Sequence, residues 1–459
     1  MRLAARSGLW CFLVISSALV AACGDDDSAS GEAGDAGAGG NAGTNSAGKA
    51  GASVAGSAAG GTASGGRAGS PASAGSAGGG GADAQGGTGD QPSGGAAGSV
   101  GAAGADGDAG HAGAAGSDGG AGGAADEAEP GFAYVSTILG GLVALSRDER
   151  GSLATLEGSP VGNGHLSNVV VDHRQRFLYT LDADAAKLAM YPLAADGKLP
   201  KDPSSTTPVA AQPFTAALDP SDQFLYVTSQ QDGVLSTFAV GADDGKLTPV
   251  GDPLDLGAPP AVVVVSPNGR NLYVSQQFPG GIRAFSIDAQ DGSLLELDDS
   301  PFAEGEVFGG ALAFTPDGAF LYNTGFALNG FAVGDGGALQ LLTDEPFTED
   351  VGSDPYASNL ALDPQGRFLY VTQFLLTRHV SGFAIDADSG LLTSIGAPVT
   401  ARSPYSVAVD PSGRFVYASN DDDTINGYLL RRSNGALEEL PGSPFPFGGL
   451  QPEMVFFRP

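Results

Sequence analysis

A tyrosine that returns every 45 to 49 residues constrains this chain more than any other feature. It stands in Phe132-Ala133-Tyr134, Phe177-Leu178-Tyr179, Phe224-Leu225-Tyr226, Asn271-Leu272-Tyr273, Phe320-Leu321-Tyr322, Phe368-Leu369-Tyr370 and Phe415-Val416-Tyr417. The successive intervals are 45, 47, 47, 49, 48 and 47 residues. A period near 45 with alternating apolar and polar residues is that of a four-stranded propeller blade; no helical period accompanies it.

Each unit repeats one grammar. An apolar strand such as Ser406-Val407-Ala408-Val409 runs into Asp410-Pro411-Ser412-Gly413, residue types suited to a tight turn. The Phe-x-Tyr strand follows, then a polar loop and a third strand such as Ile282 to Ile287 or Val380 to Ile385. An Asp/Gly turn, as in Asp386 to Gly390, leads to a fourth. The ends are complementary. Phe132 opens on a second strand without a first, whereas Glu453 to Pro459 reads as a first strand without a second, with Arg458-Pro459 in the place of Asp410-Pro411. The spacing therefore predicts an all-β, seven-bladed β-propeller over 131–459, closed by its C-terminal strand so that no sheet edge is left open.

Residues 24–130 cannot belong to that ring. They hold 36 Gly in 107 positions and no Leu, Ile, Phe, Tyr or Trp, too little to bury a core. Gly does not recur strictly every third residue, which excludes collagen, so a disordered acidic tether is expected. As a coil it would span about 60 Å between its ends. Residues 1–23 read as a signal peptide: Arg2 and Arg6 precede an apolar run, Leu9 to Val20, too short to cross a bilayer as a helix. The segment Leu19-Val20-Ala21-Ala22-Cys23 resembles the lipobox of bacterial lipoproteins. That resemblance implies cleavage before Cys23 and acylation of its thiol, hence a membrane partner through a lipid anchor. Gly24 follows the cysteine, so the outer membrane of the cell envelope is the expected address.

The repeats themselves, Asp-Pro-x-Gly-Arg-Phe-x-Tyr together with Gly442-Ser443-Pro444-Phe445, resemble the seven-bladed β-propeller lactonases, a family that includes 6-phosphogluconolactonase-like proteins. Members of that family carry a Pro-Arg-His step at the start of one innermost strand and an Asn-Glu step just after one blade tyrosine. At the first offset this chain has Ser167-Asn168, Phe214-Thr215, Ala261-Val262, Gly310-Ala311, Ser358-Asn359, Tyr405-Ser406 and Glu453-Met454. At the second it has pairs such as Asp182-Ala183, Ser229-Gln230, Gln276-Gln277, Gly325-Phe326, Gln373-Phe374 and Asn420-Asp421. Neither motif is present. Opening a lactone needs a base or activated water and a donor for the developing oxyanion, and these positions supply no ionisable pair for it.

Other candidates are sparse. The two cysteines, Cys11 and Cys23, lie before the repeats, which excludes a disulfide framework or a cysteine zinc site in the ring. Asn420-Asp421-Asp422-Asp423 lacks the alternating ligands of a calcium loop and reads as a solvated acidic loop, so no metal and no cofactor is expected. Net charge is −31, and −22 over 132–459, which opposes nucleic acid and other polyanions. What remains is a polar channel mouth built from His165, Asn168, Gln230, Gln276, Asn359, Gln373, Tyr405 and Asn420. His173 and His379 fall on turns or loop ends and are set aside. The resulting expectation is a monomeric envelope lipoprotein whose propeller binds a polymer or protein; the alternative is a lactone hydrolase of the 6-phosphogluconolactonase type.

Overall fold

Each repeat folds into its own antiparallel sheet with strands in sequential order, and the seven sheets form the ring that the tyrosine period predicts. The computed structural model describes residues 129–347, 357–374, 377–448 and 452–458. The signal segment, Cys23 and the tether up to residue 128 lie outside the described residues. The first strands of blades 1 to 7 are Pro452–Arg458, Leu166–Val171, Pro213–Leu218, Pro260–Val265, Leu312–Phe314, Ala357–Leu362 and Pro404–Val409. Each of these strands packs beside its counterparts in the two neighbouring blades, so together they surround the central channel. Blade 6 and blade 7 each add a short strand, Val399–Thr400 and Phe445–Pro446, to the third strand of the sheet.

Closure is by strand exchange. Pro452–Arg458 pairs antiparallel with Gly131–Thr137, with Phe132 opposite Arg458 and Val135 opposite Val455, and a register shift at Ser136/Thr137. The chain's last strand thus becomes the innermost strand of blade 1, and the ring presents no unpaired edge between its ends.

The core is divided into seven apolar clusters, one at each blade interface. The cluster between blades 7 and 1, for example, brings Ala133, Val135 and Leu145 against Phe415, Tyr417 and Ile425. The Asp-Pro turn is held by its aspartate: Asp410 Oδ1 accepts the N–H groups of Arg414 at 2.9 Å and Phe415 at 2.7 Å, and Asp219 does the same for Gln223 and Phe224.

The Phe-x-Tyr motif joins neighbouring blades. Every blade tyrosine is buried, and its hydroxyl donates to the carbonyl of the glycine in the next blade's outer hairpin: Tyr134 to Gly197, Tyr179 to Gly245, Tyr226 to Gly292, Tyr273 to Gly337, Tyr322 to Gly390 and Tyr370 to Gly435. The phenylalanine two positions earlier lies flat against that same glycine. A Cβ on Gly197 would sit 2.1 Å from the Phe132 ring, and one on Gly390 would sit 2.4 Å from Phe320. Both glycines also have positive φ, so no other residue fits. Blade 4 has Asn271 in place of phenylalanine, and it replaces the stacking with a hydrogen bond from Nδ2 to the Gly336 carbonyl. Burial pushes the hydroxyls of Tyr179, Tyr226, Tyr273, Tyr322, Tyr370 and Tyr417 well above the ordinary tyrosine range, so they stay protonated as donors.

Candidate functional site

One end of the channel holds a mouth cavity of about 280 Å³ where first strands begin and second strands end. Its wall is aromatic: Phe214, Phe278, Phe308, Phe326, Phe374 and Tyr405. Two edge-to-face pairs fix part of that wall, Phe308 on Phe326 at 5.2 Å and Phe374 on Tyr405 at 5.5 Å. Between the rings stand the amides of Asn168, Gln230, Gln277 and Asn359. Among the described residues, no Asp, Glu, Lys, Arg or His lines this cavity.

A one-residue register decides which side chains reach it. In the blades other than blade 5, the third residue after the tyrosine is still in the sheet, opposite the start of the first strand, as Gln276 is opposite Pro260 and Asn420 opposite Pro404. Its side chain is therefore directed between blades, and the next residue turns to the mouth. Of the residues expected there, Asn168, Gln230, Asn359 and Tyr405 line the cavity. Gln276, Gln373 and Asn420 do not, because all three sit at the third position and are buried. Gln276 Nε2 donates to the Leu256 carbonyl at 2.9 Å, Gln373 Oε1 accepts from Ser381 at 3.0 Å, and Asn420 Nδ2 donates to Asn426 at 2.8 Å. Their chain neighbours Gln277 and Phe374 line the cavity instead.

His165 is also off the mouth. It is buried just before the first strand of blade 2, 3.7 Å from Asp184, with Asp182 nearby and ion-paired to Lys187 at 3.3 Å. His173 is on a turn at the opposite end, its Nδ1 2.7 Å from Asp222. His379 begins the third strand of blade 6, paired with Gln373. In the acidic loop, burial and the neighbouring Asp422 raise the carboxyl of Asp421, whereas Ser403 and Arg378 oppose the rise. No group of three or more metal-ligating side chains is assembled among the described residues.

Apart from Tyr405, the aromatic wall was missed from sequence. Its signal lay in the offset pairs themselves: Phe214 is the second residue of a first strand, and Phe326 and Phe374 occupy the fourth position after their tyrosines. Three glycines shape the floor between blades 4 and 5. A Cβ on Gly310 would lie 2.0 Å from the Thr324 carbonyl oxygen, one on Gly325 2.7 Å from that of Phe308, and one on Gly309 2.9 Å from that of Gln276. Only glycine allows these backbones to approach so closely.

Comparisons with known proteins agree with this architecture. The family model described as lactonase, 7-bladed beta-propeller, matches residues 144–264 and 311–447. A 6-phosphogluconolactonase of Sodalis glossinidius is 39% identical over 99 residues, which are 21% of this chain and 28% of that protein's length. Among solved structures, a candidate 6-phosphogluconolactonase of Bacteroides uniformis superimposes with a TM-score of 0.63 at 19% identity, covering 72% of this chain and 100% of that one. A periplasmic gluconolactonase of Pseudomonas aeruginosa superimposes with a TM-score of 0.59 at 21% identity, covering 72% and 99%. At such identities these structural likenesses speak for the fold.

Proposed function

We propose a function for this chain, which belongs to the seven-bladed β-propeller lactonase family: its mouth receives an uncharged lactone. The observation that carries the reading is the lining. Among the described side chains, the family's first-strand motif positions at the mouth hold Ser167, Asn168, Phe214, Thr215, Ala261, Val262, Gly310, Ala311, Ser358, Asn359 and Tyr405, and Glu453-Met454 stands at the same offset in the sequence of blade 1. Aromatic faces suit the C–H surface of a small ring, and amides suit its neutral oxygens. A phosphorylated lactone would bring a dianion into a cavity with no cation among the described residues of its wall, within a head of net charge −22.

Family membership favours a second reading, in which the bound lactone is also hydrolysed. Among the described residues the mouth places no ionised base beside the ligand, so binding leads and turnover follows as the alternative. The lipobox-like segment adds a location to either reading: a propeller held at the cell envelope through acylated Cys23 and the glycine-rich segment.

Calorimetric titration with glucono-δ-lactone tests the proposal. Saturable binding is expected, weakened about tenfold by Phe326→Ala or Phe374→Ala, each of which removes one aromatic face. Binding indifferent to both substitutions would place the ligand elsewhere and overturn the reading.

A further inference from the structure

Asn359 stands in the first strand of blade 6, at the repeat position that Asn168 holds in blade 2 and Thr215 in blade 3. At each of these junctions the side chain caps a backbone N–H of the next blade. Asn168 Oδ1 accepts from Ala216 N at 3.2 Å, Thr215 Oγ1 from Val263 N at 3.1 Å, and Asn359 Oδ1 from Val407 N at 3.4 Å. A carboxamide can accept an N–H only with its oxygen. The cap therefore fixes which end of the Asn359 amide faces blade 7 and which end turns away. Threonine at this position supplies the cap alone, since the Thr215 hydroxyl is also engaged with Thr228 Oγ1 at 3.0 Å and the Ala261 carbonyl at 3.1 Å. Asparagine supplies the cap and keeps an N–H₂ donor.

That donor opens onto the channel. Asn359 Nδ2 meets no acceptor among the described residues, and it is not sealed from solvent. Asn359 lines both the mouth and the adjoining channel cavity of about 550 Å³. Two rings of the mouth belong to the same junction. Phe374 follows the second strand of Asn359's own blade, and Tyr405 lies two residues before the capped Val407; the two rings pack edge to face at 5.5 Å. The Asn168 junction keeps Phe214 as the counterpart of Tyr405 but has Ala183 in the place of Phe374. Gln230 and Gln277 also line the mouth, but no cap fixes their amides among the described residues, so either end can serve a ligand. A fixed donor and a paired aromatic wall coincide at Asn359.

We propose that Asn359 orients the ligand: its Nδ2 donates to the carbonyl oxygen of a lactone whose ring rests against Phe374 and Tyr405. The proposal rests on the neutral-lactone reading and gives it a direction. The carbonyl oxygen is the strongest acceptor of a neutral lactone, and the ring oxygen of an ester accepts only weakly. A donor whose partner end is already committed to Val407 therefore selects a ring that carries a carbonyl over the same ring without one. Asn359 is in this sense specificity-determining, and the Val407 cap is what holds it in position.

The test borrows the residue of blade 3. Asn359→Thr copies Thr215, keeping a cap for Val407 and removing the donor; Asn359→Leu removes both. Two probes are titrated on the full chain: freshly dissolved glucono-δ-lactone, and 1,5-anhydroglucitol, the same ring with a methylene in place of the carbonyl. Wild type should bind the lactone about fivefold more tightly, the worth of one hydrogen bond. Asn359→Thr should erase that preference by weakening the lactone alone, with the melting temperature held. Asn359→Leu should erase it too and lower the melting temperature, whereas Phe374→Ala should weaken both probes. In ¹⁵N-asparagine-labelled wild type, the Asn359 side-chain N–H₂ signals, assigned by their loss in Asn359→Thr, should shift with the lactone and stay fixed with the anhydroglucitol; this readout needs no variant to remain capped. Equal wild-type affinity for the two probes, or Asn359 signals unmoved by saturating lactone, would overturn the role of Asn359 while leaving the neutral-ring mouth standing. Failure of wild type to bind either probe would remove the mouth reading itself.

Discussion

The Tyr417 hydroxyl donates to the Gly151 carbonyl at 2.8 Å across 266 residues of sequence, and in doing so ties the last complete blade to the first. The same bond occurs at all six other junctions, but only here does it span the closure. Gly151 has φ +88°, and a Cβ there would lie 2.7 Å from the Phe415 ring. Closure therefore depends on this hydrogen bond and stacking pair as well as on the exchanged strand.

Tyr417→Phe should lower stability by roughly 1–3 kcal/mol, because it leaves the Gly151 carbonyl unsatisfied in a buried setting. Gly151→Ala should cost more, since it adds backbone strain to a steric clash. Urea unfolding of each variant against wild type measures both, and Tyr322→Phe, within the ring, provides the comparison.

Removing residues 453–459 should abolish cooperative unfolding or cause aggregation. Without that strand, Gly131–Thr137 becomes an exposed edge and the innermost position of blade 1 is empty. A truncated chain with an unchanged urea midpoint would show that the exchanged strand contributes nothing to the ring.

Asp421 gives a pH-dependent prediction. Burial raises its folded carboxyl above the ordinary range, so the folded state binds that proton more tightly than the unfolded chain. The group is then a net burden at neutral pH, and the burden vanishes once pH falls below the unfolded carboxylate value. Asp421→Asn should accordingly stabilise the protein at pH 7, with the gain fading as pH falls toward about 4 and absent well below it. Thermal melts at several pH values decide it; a gain constant with pH would assign the effect to something other than the charge.

Blade number, strand order and closure could be read from sequence because they rest on local rules repeated seven times. Asp-Pro turns, Phe-x-Tyr strands and hairpin glycines each carry their own physical requirement, and repetition averages out exceptions such as Asn271. The mouth was harder to read for a geometric reason. Whether Gln276 or Gln277 faces the ligand depends on where the second strand leaves the sheet, and one residue reverses the answer. Asn168 and Asn359 were identified as polar mouth residues, yet their Oδ1 atoms serve the neighbouring blade's backbone. That role is invisible without the spatial arrangement of the inner strands.

Anchoring is tested by Cys23→Ser, which should transfer the protein from the membrane fraction to the soluble fraction. Retention of the substituted protein on carbonate-washed membranes would contradict acylation at Cys23.

The most direct test of the central claim compares glucono-δ-lactone with 6-phosphogluconolactone on the same preparation, by titration and by turnover beside an authentic 6-phosphogluconolactonase. The mouth, aromatic, amide-lined and uncharged among the described residues, predicts saturable binding of the neutral lactone. It also predicts neither binding nor turnover of the phosphorylated one, at low or at high salt. Turnover of 6-phosphogluconolactone above its spontaneous rate, or its tighter binding, would contradict the account.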